Sequence, residues 1–153
     1  MKKVVKTSII IDVYSLIKEA KYTKMSEDDK ISIWKIFKVI KPIGEAFNKD
    51  LEDARKEFLP YDSFMEDWEK ARQYEIAKEK KETYDKMSDE DYKKFIGELV
   101  KYNGLINKAI IELLKKEVEL EYEPISSDGF DQLRLSNDWT LNQGDLIESL
   151  VCE

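Results

Sequence analysis

Apolar residues recur at alternating spacings of three and four along two long stretches of this chain, and at a spacing of two along one short one. The first long stretch carries Ile33, Phe37, Ile40, Gly44, Phe47, Leu51, Ala54 and Phe58. Such spacing gathers one side of a helix into a coiled-coil-like seam. Ahead of it, Ser26-Glu27-Asp28-Asp29 has the chemistry of a helix start. The hydroxyl can accept from an amide of the first turn, and the acids face the positive end of the helix dipole. Pro42 falls inside this seam and removes the bond to the carbonyl four residues back, so a kink or an end is expected there. Gly44 would let a partner helix approach closely.

The second long stretch carries Tyr92, Phe95, Leu99, Tyr102, Ile106, Ala109 and Leu113, behind a second start signal at Ser88-Asp89-Glu90-Asp91. Lys24-Met25-Ser26 recurs as Lys86-Met87-Ser88, an offset of 62 residues that also sets Phe37 on Leu99 and Leu51 on Leu113. Shared capping chemistry accounts for most of this likeness, with internal duplication as the alternative. Between the two, residues 63–86 begin an apolar stripe at Phe64, Trp68 and Ala71 and then turn wholly polar at Lys78-Glu79-Lys80-Lys81-Glu82. A helix polar all round projects into solvent or bridges elements. The two seam helices should therefore pack antiparallel as a long hairpin whose tip, about 59–87, projects. A shorter helix is expected over Ser8–Lys21, with Ile9, Val13, Leu16 and Ala20 on one face.

From Glu117 to Glu123 the period changes to two: four glutamates on one face, Val118, Leu120 and Tyr122 on the other. A lone strand is unstable, and the basic N-terminal segment is its natural antiparallel partner. The expected ribbon pairs about 2–7 with 117–123, with Val4 on the apolar face and Lys2 and Lys6, or Lys3, toward the glutamates. Ser126–Asn137 reads as turn-rich with a short apolar insert at Phe130, Leu133 and Leu135, and Thr140–Val151 as a last short helix. The fold class expected is mainly α (α+β): one domain over 1–153, with the acidic segment 124–153 packed on the base of the hairpin.

Charge narrows the functional classes. The 153 residues hold 26 Lys+Arg and 33 Asp+Glu, net -7, yet residues 117–153 alone carry ten acids against Arg134. Residues 1–116 come out at +2, so the acidic excess belongs entirely to the C-terminal quarter. Direct nucleic-acid binding is disfavoured by that balance. The absence of His removes His-based triads and His-ligated metals, and the single Cys152 removes an intrachain disulfide. The longest apolar run, Ile9-Ile10-Ile11, is far short of a membrane span, and the basic start lacks the apolar region of a signal peptide. No glycine-rich phosphate loop or nucleophile elbow is present. Glu27-Asp28-Asp29 and Asp89-Glu90-Asp91 could offer carboxylates to a divalent cation, but helix-start complementarity explains them more simply. No cofactor is expected. Trp34, beside the first seam, reads as core; Trp68 and Trp139 read as interface residues or caps on a small core.

The order of elements resembles the small uncharacterised helical-hairpin proteins encoded by tailed bacteriophages. The likeness is carried by Ile110-Ile111-Glu112-Leu113-Leu114-Lys115-Lys116-Glu117-Val118, then Glu123-Pro124-Ile125, then Gly144-Asp145-Leu146-Ile147. It implies phage origin, with a role in particle assembly or host interaction, in the cytoplasm of the bacterial host or in the virion. The expected function is a non-catalytic protein–protein interaction protein, not an enzyme. Its partner would be a phage structural protein or a host protein, with no membrane partner and a homodimer as an open alternative. The candidate interaction surface comprises Phe64, Trp68, Tyr74, Glu119, Glu121, Asp131, Asp138 and Trp139. The competing expectation is an acidic inhibitor, of anti-defence or nucleic-acid-mimic type, that occupies a basic groove on a host protein.

Overall fold

A computed structural model describes all residues from 1 to 153. The chain is mainly α: β1 (Lys2–Lys6), α1 (Thr7–Lys18), α2 (Glu27–Glu57), α3 (Phe64–Glu79), α4 (Asp89–Lys115), β2 (Glu117–Glu121), α5 (Ser127–Leu135) and α6 (Leu141–Val151). It forms two compact units, 1–50 with 112–153 and 51–111. No helix is long and apolar enough to cross a membrane.

In the first unit β1 and β2 form the expected antiparallel ribbon, in the register Lys2↔Glu121, Val4↔Glu119 and Lys6↔Glu117. Residues directly opposite one another share a face, so Val4 stands on the outer side with Lys2 and Lys6 and is 61 % exposed. The expectation that Val4 joins the apolar face is corrected: Val5, opposite Val118, is the buried valine. Lys2 Nζ lies 3.6 Å from Glu119, one exposed ion pair of the outer face. Beneath the ribbon, Ile10, Val13 and Ile17 of α1 pack with Ile33, Ile36 and Ile40 of α2, and with Ile147, Leu150 and Val151 of α6.

The segment after Ser126, expected to be irregular, is helix α5. The Ser126 hydroxyl accepts from Gly129 N–H at 3.0 Å, and Phe130 and Leu133 turn into the core one turn apart, leaving Leu135 outside. α2 runs unbroken through Pro42. The proline forfeits the bond to Lys38 C=O, and it stands on an exposed part of the helix where water can satisfy that carbonyl. Gly44 does serve a close approach. A Cβ there would lie 2.7–2.9 Å from the Tyr14 ring of α1.

The second unit has its own core, built on Phe64, Ala71, Tyr74, Met87, Phe95, Tyr102 and Ile106, with Leu51, Ala54 and Phe58 packed against it. Tyr102 donates its hydroxyl to Arg55 C=O at 3.0 Å, which joins the end of α2 to α4. Both long helices start alike. Ser26 and Ser88 accept from Asp29 and Asp91 N–H at 3.2 and 3.1 Å, and Met25 and Met87 before them are buried in their respective cores. The offset of 62 extends to the buried pairs Ile33/Phe95, Ile40/Tyr102 and Gly44/Ile106.

α3 ends in a Schellman motif. Lys81 N–H reaches Lys78 C=O at 3.1 Å, Glu82 N–H reaches Ala77 C=O at 2.8 Å, and Lys81 sits at φ 56°. A lysine in the left-handed region carries a cost of about 1–2 kcal/mol that glycine escapes, less the entropy glycine adds to the unfolded chain. Lys81→Gly should therefore stabilise the protein by about 0.5 kcal/mol in urea titration. A loss of stability would show that the Lys81 side chain contributes more than its backbone costs.

Candidate interaction groove

The sequence-derived surface residues fall into three places. Phe64 is wholly buried, in ring contact with Trp68 at 5.9 Å, Phe95 at 5.2 Å and Tyr102 at 5.1 Å. It is therefore a core residue with nothing to present to a partner, because its stripe meets α4 instead of ending in solvent. Tyr74 is buried as well, stacked on Tyr92 at 4.3 Å, and Trp68 is half-buried. Glu119 and Glu121 are exposed on the ribbon's outer face. Asp131 is exposed beside Arg134 at 3.8 Å, Asp138 is exposed, and Trp139 is half-buried against the first core.

Three tyrosines of the second unit are tied to carboxylates. Tyr74 donates to Asp89, which Lys78 also approaches at 3.6 Å; Tyr92 donates to Glu75; Tyr61 donates to Asp67 at 2.9 Å. The Tyr74 hydrogen bond and then the Lys78 charge lower the Asp89 pKa. Donation to Glu75 pushes the Tyr92 phenol up to about 12, and burial followed by the Asp67 bond does the same for Tyr61. An unfolded tyrosine loses its proton near 10, so between pH 10 and 12 the unfolded state binds fewer protons than the folded one. Stability must fall as pH rises through that window. Melting temperature against pH should drop more steeply for the wild type than for Tyr61→Phe/Tyr92→Phe. Parallel curves would contradict the assignment.

A feature with no counterpart among the sequence-derived residues lies between α1 and α2. An open groove of about 700 Å³ is lined by Tyr14, Ile17, Lys18 and Tyr22 on the α1 side and by α2 from Lys30 to Glu45. Its floor is Ile17 and Ile33, both buried, and Phe37, whose ring stacks on Tyr14 at 5.5 Å and 10°. Gly44 admits the Tyr14 ring, and that ring holds Phe37 in place. Tyr22 closes one end, donating its hydroxyl to Ile17 C=O at 2.5 Å, and burial raises its pKa.

Two large apolar side chains stand open at the lip: Ile31, 50 % exposed, and Trp34, 55 % exposed. Trp34 is thus not the core residue that its place beside the seam implies. Lysines frame the lip. Lys38 Nζ sits 4.3 Å from the centre of the Trp34 ring, and Lys18 Nζ 5.8 Å from that of Tyr14, both cation–π contacts. Lys30 pairs with Glu27 at 3.0 Å and Lys41 with Glu45 at 3.8 Å. Lys18 and Lys38 are in no ion pair. The sequence does hold a signal: residues 30–44 contain four lysines and no acid, within a chain of net charge -7.

Such a groove offers apolar burial and charge. Its ionisable lining is lysine, tyrosine and the single carboxylate of Glu45. Compared with family models, with curated proteins and with solved structures, the chain matches none.

Proposed function

We propose that this chain is a non-catalytic protein–protein interaction protein that engages its partner through the α1–α2 groove. The groove joins a framed concavity to two large side chains left uncovered at one lip. That pairing of Trp34 and Ile31 at one lip carries the reading. Covering an apolar side chain of this size contributes about 1.5–3 kcal/mol, and tryptophan is the residue type most enriched at binding hot spots. In keeping with the resemblance to tailed-phage hairpin proteins, the partner is a phage structural protein or a host protein, met in the bacterial cytoplasm or the virion.

A second reading retains the acidic C-terminal face as the binding surface, an inhibitor seated in a basic groove of a host protein. Its support is the charge of residues 117–153 and the exposure of Glu119 and Glu121. Part of that charge is already engaged by Lys2. Affinity capture from bacterial lysate separates the readings. Ile31→Glu/Trp34→Glu should lose the captured partner by at least about ten-fold, as expected when two lip residues together worth over about 1.4 kcal/mol are removed. Glu119→Lys/Glu121→Lys should retain it. The opposite pattern would transfer the function to the acidic face.

A further inference from the structure

We infer that the occupant of the groove is an amphipathic helix of the partner protein, apolar along one face and carrying Asp or Glu on both flanks. This rests on the groove being the binding surface, and three observations select the occupant. The first is length. The α2 wall runs from Lys30 to Glu45, about 22 Å at 1.5 Å per residue, or four turns of a docked helix. The second is the nature of the walls. Both are mainly helix, with internal backbone groups paired apart from Lys38 C=O, so an extended peptide would find no ladder to join. Side chains entering at three-and-four spacing are the mode that such walls accept. A small molecule is disfavoured because it needs enclosure on most sides, and here Trp34 and Ile31 stand half open along a trough.

The third observation is charge. Lys18 in the groove lining and Lys38, seated over the Trp34 ring of the lip, lack carboxylate partners, while Lys30 and Lys41 along α2 are paired with Glu27 and Glu45. Glu45 marks one end of the α2 wall as its only acid. A helix with acidic flanks would meet lysines on both sides of its apolar stripe, which steers association and fixes the orientation of docking. A basic helix would meet the unpaired Lys18 and Lys38 in repulsion.

The test is selection from a display library of random peptides of about 18 residues, five helical turns. The intact protein serves as bait, with Ile31→Glu/Trp34→Glu as counter-bait to remove peptides that bind elsewhere. The recovered sequences should carry apolar residues at three-and-four spacing flanked by Asp and Glu. Their affinity should fall roughly ten-fold or more on Lys18→Glu/Lys38→Glu, and fall with added salt. Groove-dependent peptides without acidic bias, or with affinity unmoved by the charge reversal, would overturn the inference while leaving the groove as a binding surface. Recovery of no groove-dependent peptide would overturn both readings together.

Discussion

Phe64→Ala should destabilise the protein by about 3–5 kcal/mol, a large share of the roughly 5–15 kcal/mol that holds a typical domain folded. Phe64 is the largest side chain in the second unit with no exposed surface, and four rings meet it: Tyr61, Trp68, Phe95 and Tyr102. Truncation would remove the aromatic contacts and leave a void that α3 and α4 can only partly close. Urea titration followed by near-ultraviolet circular dichroism measures the loss. The size of the effect decides between two roles. An exposed interaction residue at this position would change stability by no more than about 0.5 kcal/mol on truncation.

Gly44→Ala should cost about 1–3 kcal/mol, although alanine is the better helix former by about 1 kcal/mol. The added methyl would lie within 3 Å of three atoms of the Tyr14 ring, including the one that joins the ring to its backbone, so no rotation of a flexible end relieves it. In a Tyr14→Ala background the obstruction is gone and the sign should reverse, with Gly44→Ala stabilising by up to about 1 kcal/mol. The double-mutant cycle measured by denaturant unfolding reads this directly; additive effects would contradict it. Because Tyr14 stacks on Phe37, displacement of its ring should also disturb the groove floor and weaken binding there.

Elements whose apolar period is long and regular are legible in the sequence itself. The seam from Ile33 to Phe58 corresponds to α2 and that from Tyr92 to Leu113 to α4. The alternation from Glu117 corresponds to β2, paired with β1 as charge complementarity implies. α5 is not legible, because its nine residues bury only two large side chains and include a glycine in the first turn. The pattern of α3 suggests projection into solvent because the charged run Lys78–Glu82 dominates its second half. The helix ends at Glu79, and its inward face uses Ala71 and Ala77, whose small side chains give a weak periodic signal.

The groove shows the same limit from the other side. Trp34 lies next to Ile33 in sequence and one turn from Phe37, so the helical period assigns it close to the core. Whether that edge of α2 is covered depends on where α1 sits, and α1 is placed by the Tyr14–Gly44 contact, a tertiary fact. The lysine-rich, acid-free stretch from 30 to 44 is visible in the sequence, but without the groove it is a charge pattern with no surface to frame.

The central claim is that the partner is held at the α1–α2 groove, and site-specific photo-crosslinking in bacteria expressing the protein tests it most directly. A photoreactive phenylalanine derivative placed in turn at positions 34, 68, 119 and 139 samples the groove lip, the second unit, the ribbon and the C-terminal segment. The expected result is a partner crosslinked from position 34 and from none of the other three. Crosslinks from 119 or 139 with none from 34 would contradict it and return the function to the acidic face.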